Sequence, residues 1–436
     1  MLKKAAAGAG AVLIVLCWPF ATGQVGERIY LDTVGKYDSP YVSITNESYD
    51  RGYLSSDVVS RVEIKDAFKP LFEEEGLPTV WHIDSKMTHG VFGISSESQL
   101  VLDDDLKPIA AEIWGKDVSP ITFTASTALT RKTDFTITVN PMSYVEELGA
   151  KADTSALVLK GVVDAKGYGE FEYALPEAKL TTTANEAMVL TGLSGSAKGI
   201  LDGQFWIGNQ DFSLKSVSFI DQINEMQVSL EDMSAGMSNV LTQDDAKASD
   251  TNGQIMINTN TATIGKIVSL NGDEFTNLNF KLAFSDLNYS ALSRLGDMAD
   301  DLNENMTPEQ AQEAALALDL LVAKGLKVQL EDLSVTTPQG DVSSNITLDV
   351  APGLARASEN MAKISEKLSG QINLILPQAI VDEDPMLLER AQMMEQGGVV
   401  VLEDGNYKLQ MQIKGDQIVL ASGDQLPIAM LLMLFM

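Results

Sequence analysis

Apolar and polar side chains alternate along most of this chain. Val42 and Ile44 are separated by polar neighbours, as are Phe123, Ala125, Thr127 and Leu129, and then Phe135, Ile137 and Val139. The alternation is strict at Leu278, Phe280, Leu282 and Phe284, and again at Tyr407, Leu409, Met411 and Ile413. Successive side chains of an extended chain point to opposite faces, so this pattern predicts strands with one buried and one wet face. Lys166-Gly167, Asn271-Gly272-Asp273, Gly340-Asp341, Asp404-Gly405-Asn406 and Lys414-Gly415-Asp416 fall between such segments and predict hairpins. Tyr41 to Ile64 reads as strand, bend, strand, with the bend at Tyr49 to Tyr53; Trp81 to Leu102 reads as a second such unit.

The period changes in three places. Leu287 to Leu302 and Pro308 to Lys324 predict helices, with Thr307 as N-cap, Gln310 completing a capping box and Gly325 at the C-cap. Leu316, Leu318, Leu320 and Leu321 are expected to lay an apolar face on a sheet. Further helices are expected from about Leu354 to Leu368 and from Asp384 to Met394. The glycine-rich Thr191 to Gly199 reads as a hairpin turn. The expected fold class is mainly β with a few helices (α+β): an elongated, curved antiparallel sheet with helical insertions at about 287–325 and 354–368. With about three helices for about fifteen strands, part of the apolar face is left for something else to cover, which suggests a groove for lipid or an extended apolar partner. Val228-Ser229-Leu230-Glu231-Asp232-Met233 is echoed by Val328-Gln329-Leu330-Glu331-Asp332-Leu333, and in part by Val401-Leu402-Glu403-Asp404. This reads as a recurring strand-edge pattern, with chance similarity among acidic strands as the alternative, and not as a solenoid period.

The first residues set the compartment. Lys3 and Lys4 precede Ala5 to Ala21, a stretch of 17 residues without a charge. A basic start before an apolar run is an export signal. Ala21-Thr22-Gly23 offers a cleavage site, but Trp18, Pro19 and Phe20 make an aromatic outer end, and retention as an inner-membrane anchor is expected. Residues 1–23 are then the anchor and 24–436 an extracytoplasmic β-rich domain. Gln24 to Gly35 continues the anchor or forms a juxtamembrane helix.

Charge and composition narrow the chemistry. Against 31 basic residues stand 61 acidic ones, a formal net charge of -30 over 436 residues. Such a chain repels phosphate backbones, and nucleic-acid binding is not expected. The single cysteine, Cys17, lies in the leader, so the exported part has no intramolecular disulfide. The only histidines, His82 and His89, are an odd number of residues apart and would face opposite sides of one strand, against a shared metal. Asp244 to Gly253 has some oxygens of a calcium loop but no closing Glu. No metal, cofactor, catalytic residue or enzymatic activity is expected. The apolar tail from Leu426 to Met436 is too short to span a bilayer and is expected to dock on the sheet.

Tyr49-Asp50-Arg51-Gly52-Tyr53-Leu54-Ser55-Ser56 resembles the Y-x-R-G-hydrophobic-x-S-S signature of the YdgA-like envelope proteins of Gram-negative bacteria, a family of unknown function. His89-Gly90 is similar to the family's His-Gly-Pro, with Val91 in place of proline. Trp18, Thr22, Gly23 and Glu27 follow its habit at the end of the anchor. The resemblance implies an inner-membrane protein with its bulk in the periplasm, and a motif of unassigned role at Tyr49, Arg51, Gly52, Ser55, Ser56, His89 and Gly90. A more distant pattern resemblance is to the AsmA-like proteins, whose curved sheets offer an apolar groove. The expected function is a non-enzymatic anchored protein that binds lipid or another apolar ligand; the alternative is a structural or assembly factor for other envelope proteins.

Overall fold

The structure, a computed structural model, describes residues 41–430 apart from 53–54, 67, 75, 90–92, 129, 147–148, 185, 222, 224–225, 244–253, 299–305, 355, 360–361 and 429, together with Leu31 and Gly35. The expected anchor Ala5–Ala21, the loop 244–253, Gly90 and the end of the tail therefore lie outside the described residues. Among those described, no helix is long and apolar enough to cross a membrane. The fold is mainly β, antiparallel sheet with few helices. Two compact units divide it: Met1–Lys198 with Asp221–Asn224, and Gly199–Ile220 with Glu225–Met436.

In the first unit, β1 (Val42–Arg51), β2 (Ser55–Ile64), β3 (Val80–His89), β4 (Gly93–Leu100), β5 (Ile121–Ala128) and β6 (Thr133–Val139) pair in sequence, all antiparallel. The hairpin β7 (Met142–Val145) and β8 (Lys151–Thr154) intervenes, so that β6 pairs next with β9 (Leu157–Val163). Along β10 (Gly169–Thr181), the first half pairs with β9 and the second with β8. Two short helices, α1 (Lys69–Glu73) and α2 (Leu106–Ile113), occupy connections. Val58, Val62, Ile83, Met87, Phe123 and Ile137 form the buried core, with Tyr49, Phe68, Phe72 and Trp81 packed against it. One cross-strand row runs Ser56, Met87, Ser96, Ala125, Phe135, Gly161, Phe171. Several of the buried members of this face are serines, which the alternation alone would assign to water.

The second unit takes up the end of β11 (Glu186–Asp202), most of β12 (Phe205–Asp221) and the strands that follow. There β13 (Met226–Gln243), β14 (Gln254–Val268), β15 (Glu274–Asn288), β16 (Leu326–Thr337), β17 (Gly340–Val350) and β18 (Leu368–Pro377) pair in order. β18 continues to β20 (Asn406–Lys414), whose other edge carries β19 (Val400–Glu403) and β21 (Gln417–Leu420), with β22 (Gln425–Pro427) beyond β21. The predicted turns hold: Gly167, Gly272, Gly340, Gly405 and Gly415 all have positive φ, the region where a side chain clashes with the backbone. The echoed Glu-Asp pairs mark kinks. Asp232 sits at φ 52 inside β13, and the register of β16 shifts between Leu330 and Leu333. A short polar side chain tolerates that conformation better than a branched one, which fits its recurrence at irregular places in strands.

The helical expectations need correction. Leu287 is still strand; α3 (Tyr289–Asp297) starts two residues later, capped by Asn288, and α4 (Pro308–Ala323) carries the predicted capping box. Of the four leucines expected to lie on the sheet, Leu320 and Leu321 are half-buried and Leu321 packs against Met256, Leu287 and Tyr289, whereas Leu316 and Leu318 are exposed; the residues α4 buries fully are Ala314 and Ala317. Among the described residues between Leu354 and Leu368 stand a 3-10 turn (Ala357–Glu359) and α5 (Ala362–Glu366) in place of one continuous helix, and Leu368 opens β18. Ahead of the expected third helix, α7 (Pro385–Gln396), stands α6 (Gln378–Glu383). Thr191 to Gly199 is not a turn but the middle of β11. Gly199 is required there: a Cβ would come within 2.1 Å of the Ile207 carbonyl oxygen.

Candidate functional site

Two constellations stand out, one in each unit. In the first, the motif residues meet at one end of β1, β2 and β3. Arg51 pairs with Ser56 across the β1–β2 hairpin, and the Gly52 amide donates to the Ser55 carbonyl at 2.7 Å. A Cβ on Gly52 would sit 2.7 Å from that carbonyl oxygen, so the tight closure needs glycine. Tyr49 donates its hydroxyl to Met87 Sδ at 3.8 Å. Ser56 Oγ and His89 Nε2 lie 3.1 Å apart, joining β2 to the end of β3. The resemblance therefore picks out residues that are brought together, although Gly90 lies outside the described residues.

A serine beside a histidine invites a nucleophile reading, and burial argues against it. Ser56 is fully buried, and the neighbouring Ser96, buried two strands away, has a hydroxyl with no partner. An attacking oxygen needs an approach path and a base oriented by a third group. In the same cross-strand row stand Met87, Ser96 and Ala125, and further along this face Ser98 donates to Ser85 at 2.7 Å. The arrangement fastens three strands by buried hydrogen bonds. His82 lies on the opposite face of β3, 3.2 Å from Glu47 and 3.9 Å from Asp103. The two histidines thus point to opposite sides, and among the described residues no group of acidic, histidine or cysteine side chains has the geometry to hold a metal.

The wet face of this unit carries two shallow depressions of about 700 and 630 Å3. Glu97 and Thr124 border both, and Asp134, Lys160, Glu170 and Glu172 border the second. Nearby ion pairs are ordinary surface ones: Lys198 with Glu170 at 3.2 Å, and Lys69 and Arg61 with Glu63. The Lys69 ammonium and the Arg61 guanidinium hold the Glu63 carboxyl below the usual carboxylate range.

The second constellation is the apolar face of the second unit. Residues Met237, Asn260, Leu282, Leu330, Ile346, Ile372 and Met411 stand opposite one another from β13 to β20. Ile372 and Met411 at one end are buried with Leu409, Ile413 and Ile418, and Leu388, Ala391 and Met394 of α7 pack on them. At the other end, Met256, Leu287 and Tyr289 form a separate cluster against Leu292 of α3 and Leu321 of α4. Tyr289 donates to Asp202 at 2.9 Å; burial, then that carboxylate, holds its phenol well above the usual value. Between the two ends, Met237, Phe280, Leu282 and Leu330 are only half-buried and Leu333 is 43% exposed. In the middle of this band lie three amides: Asn239, Asn258 and Asn260. Sequence reasoning missed them, although the run Ile255 to Asn260 sets asparagines at the alternate positions where Met256 begins an apolar face.

Residues 1–429 match the bacterial family of unknown function DUF945. The chain belongs to this family. The DUF945 match extends over both units and over the expected leader, and it assigns no activity to either constellation. No curated protein and no solved structure matches the chain.

Proposed function

We propose that this DUF945 protein is a non-enzymatic envelope protein, of the YdgA-like kind, that holds a lipid-like ligand against the half-covered sheet face of its second unit. The observation that carries the reading is the band from Met237 to Leu333, left half-buried between two ends against which helices pack. A sheet that leaves such side chains in water forgoes burial that an apolar occupant can supply. The similarity to AsmA-like proteins belongs to the same proposal. So does the compartment: Ala5 to Ala21 is retained in the inner membrane and the rest of the chain is periplasmic, which keeps the binding face close to its lipid source.

The test is extraction and mass spectrometry of lipid from the full-length protein purified from membranes, beside a Leu282→Glu variant. A stoichiometric lipid in the native protein, lost in the variant while circular dichroism is unchanged, supports the reading. Native protein that is consistently empty overturns it. N-terminal sequencing tests the anchor, and a mature chain starting near Gln24 would refute it.

A further inference from the structure

The three asparagines form a directed relay. Asn239 is 4% exposed, and its Nδ2 donates to the Trp206 carbonyl oxygen at 2.8 Å. A carbonyl only accepts, so this bond fixes which way the Asn239 amide is turned. Its Oδ1 then faces Asn258, whose Nδ2 donates to it at 2.7 Å. Asn258 Oδ1 in turn accepts from Asn260 Nδ2. The relay ends at Asn260 Oδ1, to which no described side chain donates. Asn260 is also left with a second N–H on its amide nitrogen.

The surroundings are apolar. Asn260 lies between Met237 and Leu282, and Asn258 stands opposite Phe284. The rows from Met237 to Ile346, from Ala235 through Ala262 and Phe280 to Leu333, and from Asn239 through Phe284 and Val328 to Leu348 contain no charged residue. Amides in such a face are expensive unless their hydrogen bonds are made. The acceptors of Asn239 and Asn258 are filled within the relay, and the open acceptor is passed on to Asn260.

We infer that the occupant of this face is an amphiphile with an uncharged, hydrogen-bond-donating head group, a hydroxyl or an amide, received by Asn260. This rests on the apolar-ligand reading above. A hydroxyl can donate to Asn260 Oδ1 and accept from the spare N–H. An anionic head would meet no cation in these rows and would enter a chain of net charge -30.

The experiment compares 1-decanol with decyl methyl ether by calorimetric titration of the full-length protein. The two share a ten-carbon alkyl chain, and both have an oxygen that accepts; only the alcohol donates. The alcohol should bind about tenfold more tightly, the effect of one hydrogen bond in a partly desolvated site. Asn260→Leu should bring the two affinities to near parity, by weakening alcohol binding more than ether binding. Equal affinity of the native protein for alcohol and ether overturns the head-group inference while the apolar-ligand reading stands. If neither probe binds the native protein, both are overturned.

Discussion

Gly161 of β9 gives a sharp test of how the first unit is packed. It stands between Phe135 of β6 and Phe171 of β10 in a cross-strand row. A Cβ there would lie 2.5 Å from Phe135 Cζ, 2.8 Å from Phe135 Cε1 and 2.8 Å from Phe171 Cβ. Carbon atoms pack at about 3.5 Å, so the Phe135 ring would have to withdraw by about 1 Å. Overpacking of this kind costs about 1–3 kcal/mol. Alanine also restricts the unfolded chain, which offsets roughly 0.5–1 kcal/mol. Gly161→Ala should therefore destabilise the unit by up to about 2.5 kcal/mol. Phe135→Ala removes the obstructing ring and should cost about 2–3 kcal/mol, below the range for a fully buried phenylalanine because the ring is half-buried. The cycle decides the matter: in the Phe135→Ala background the glycine substitution should cost at least about 1 kcal/mol less. Native-state hydrogen exchange of peptides covering β6 and β9 reads both terms. Costs that add to within about 0.5 kcal/mol would show that the ring does not occupy the space over Gly161.

Other expectations follow from the same coordinates. Met411→Ala, at a side chain 1% exposed, should destabilise the second unit by about 2–5 kcal/mol, seen as a lower denaturant midpoint for exchange in β18 and β20. Ser56→Ala should cost only about 0.5–1.5 kcal/mol, because half-buried His89 regains water; a loss above 3 kcal/mol would mean that the pair does more than join two strands. Glu63→Gln should weaken the first unit at neutral pH. The Glu63 pKa is lowered in the folded state, so its contribution is present above the ordinary carboxylate range and lost as pH falls through the lowered value. Native and variant stability curves should converge in acid, and a constant gap across the whole range would refute the ion-pair account. Lys69 has the opposite sign: its pKa is raised by Asp66 and Glu63, so its share is present below the ordinary lysine value and lost as pH rises through the raised one.

The strands were readable because β1 to β6 and β20 keep period two with apolar residues on the core side, and because the hairpins use glycine where φ is positive. The same rule gives no orientation for β4. Ile94, Ser96 and Ser98 face the core there, while Ser95, Glu97 and Gln99 face water. A serine carries no polarity signal that separates the two sides, since a hydroxyl can be satisfied by another hydroxyl, as Ser98 is by Ser85. Helices α1, α2 and α6 are five, eight and six residues long and are set by their tertiary surroundings, too short for a 3.6-residue period to emerge. Of the α4 leucines, Leu321 packs on the cluster around Leu287 as expected, whereas Leu316 and Leu318 are exposed and Ala314 and Ala317 are buried in their stead, because leucine content says nothing about which turn of the helix lies against its neighbours. Of the family-like motif, the sequence identified the residues but not their burial. The amide relay needed cross-strand register, since Asn239 and Asn258 are 19 residues apart and meet only through the β13–β14 pairing.

The uneven cover of the second unit is itself an energetic argument. Met237, Phe280, Leu282, Leu330 and Leu333 are large apolar side chains on one face, and each is half-buried or exposed. Full burial of such a side chain is worth about 1.5–3 kcal/mol, and four of the five keep about a third of their surface or less in water, so together they leave at most roughly 3–6 kcal/mol unrealised in the isolated chain. That is a sizeable fraction of the whole stability of a typical domain. The same chain shows elsewhere that it can close a sheet: Leu409, Met411, Ile413 and Ile418 are all at or below 3% exposure. The helices that would finish the cover stop short, with α3 and α4 on the cluster around Leu287 and α7 on the cluster around Met411. An alkyl chain laid across the band would recover part of the missing burial, and the costs of immobilising it would take back several kcal/mol. Apolar area alone therefore gives modest affinity and no selectivity. A fixed acceptor at Asn260, beside an otherwise uncharged face, is where selectivity would have to come from.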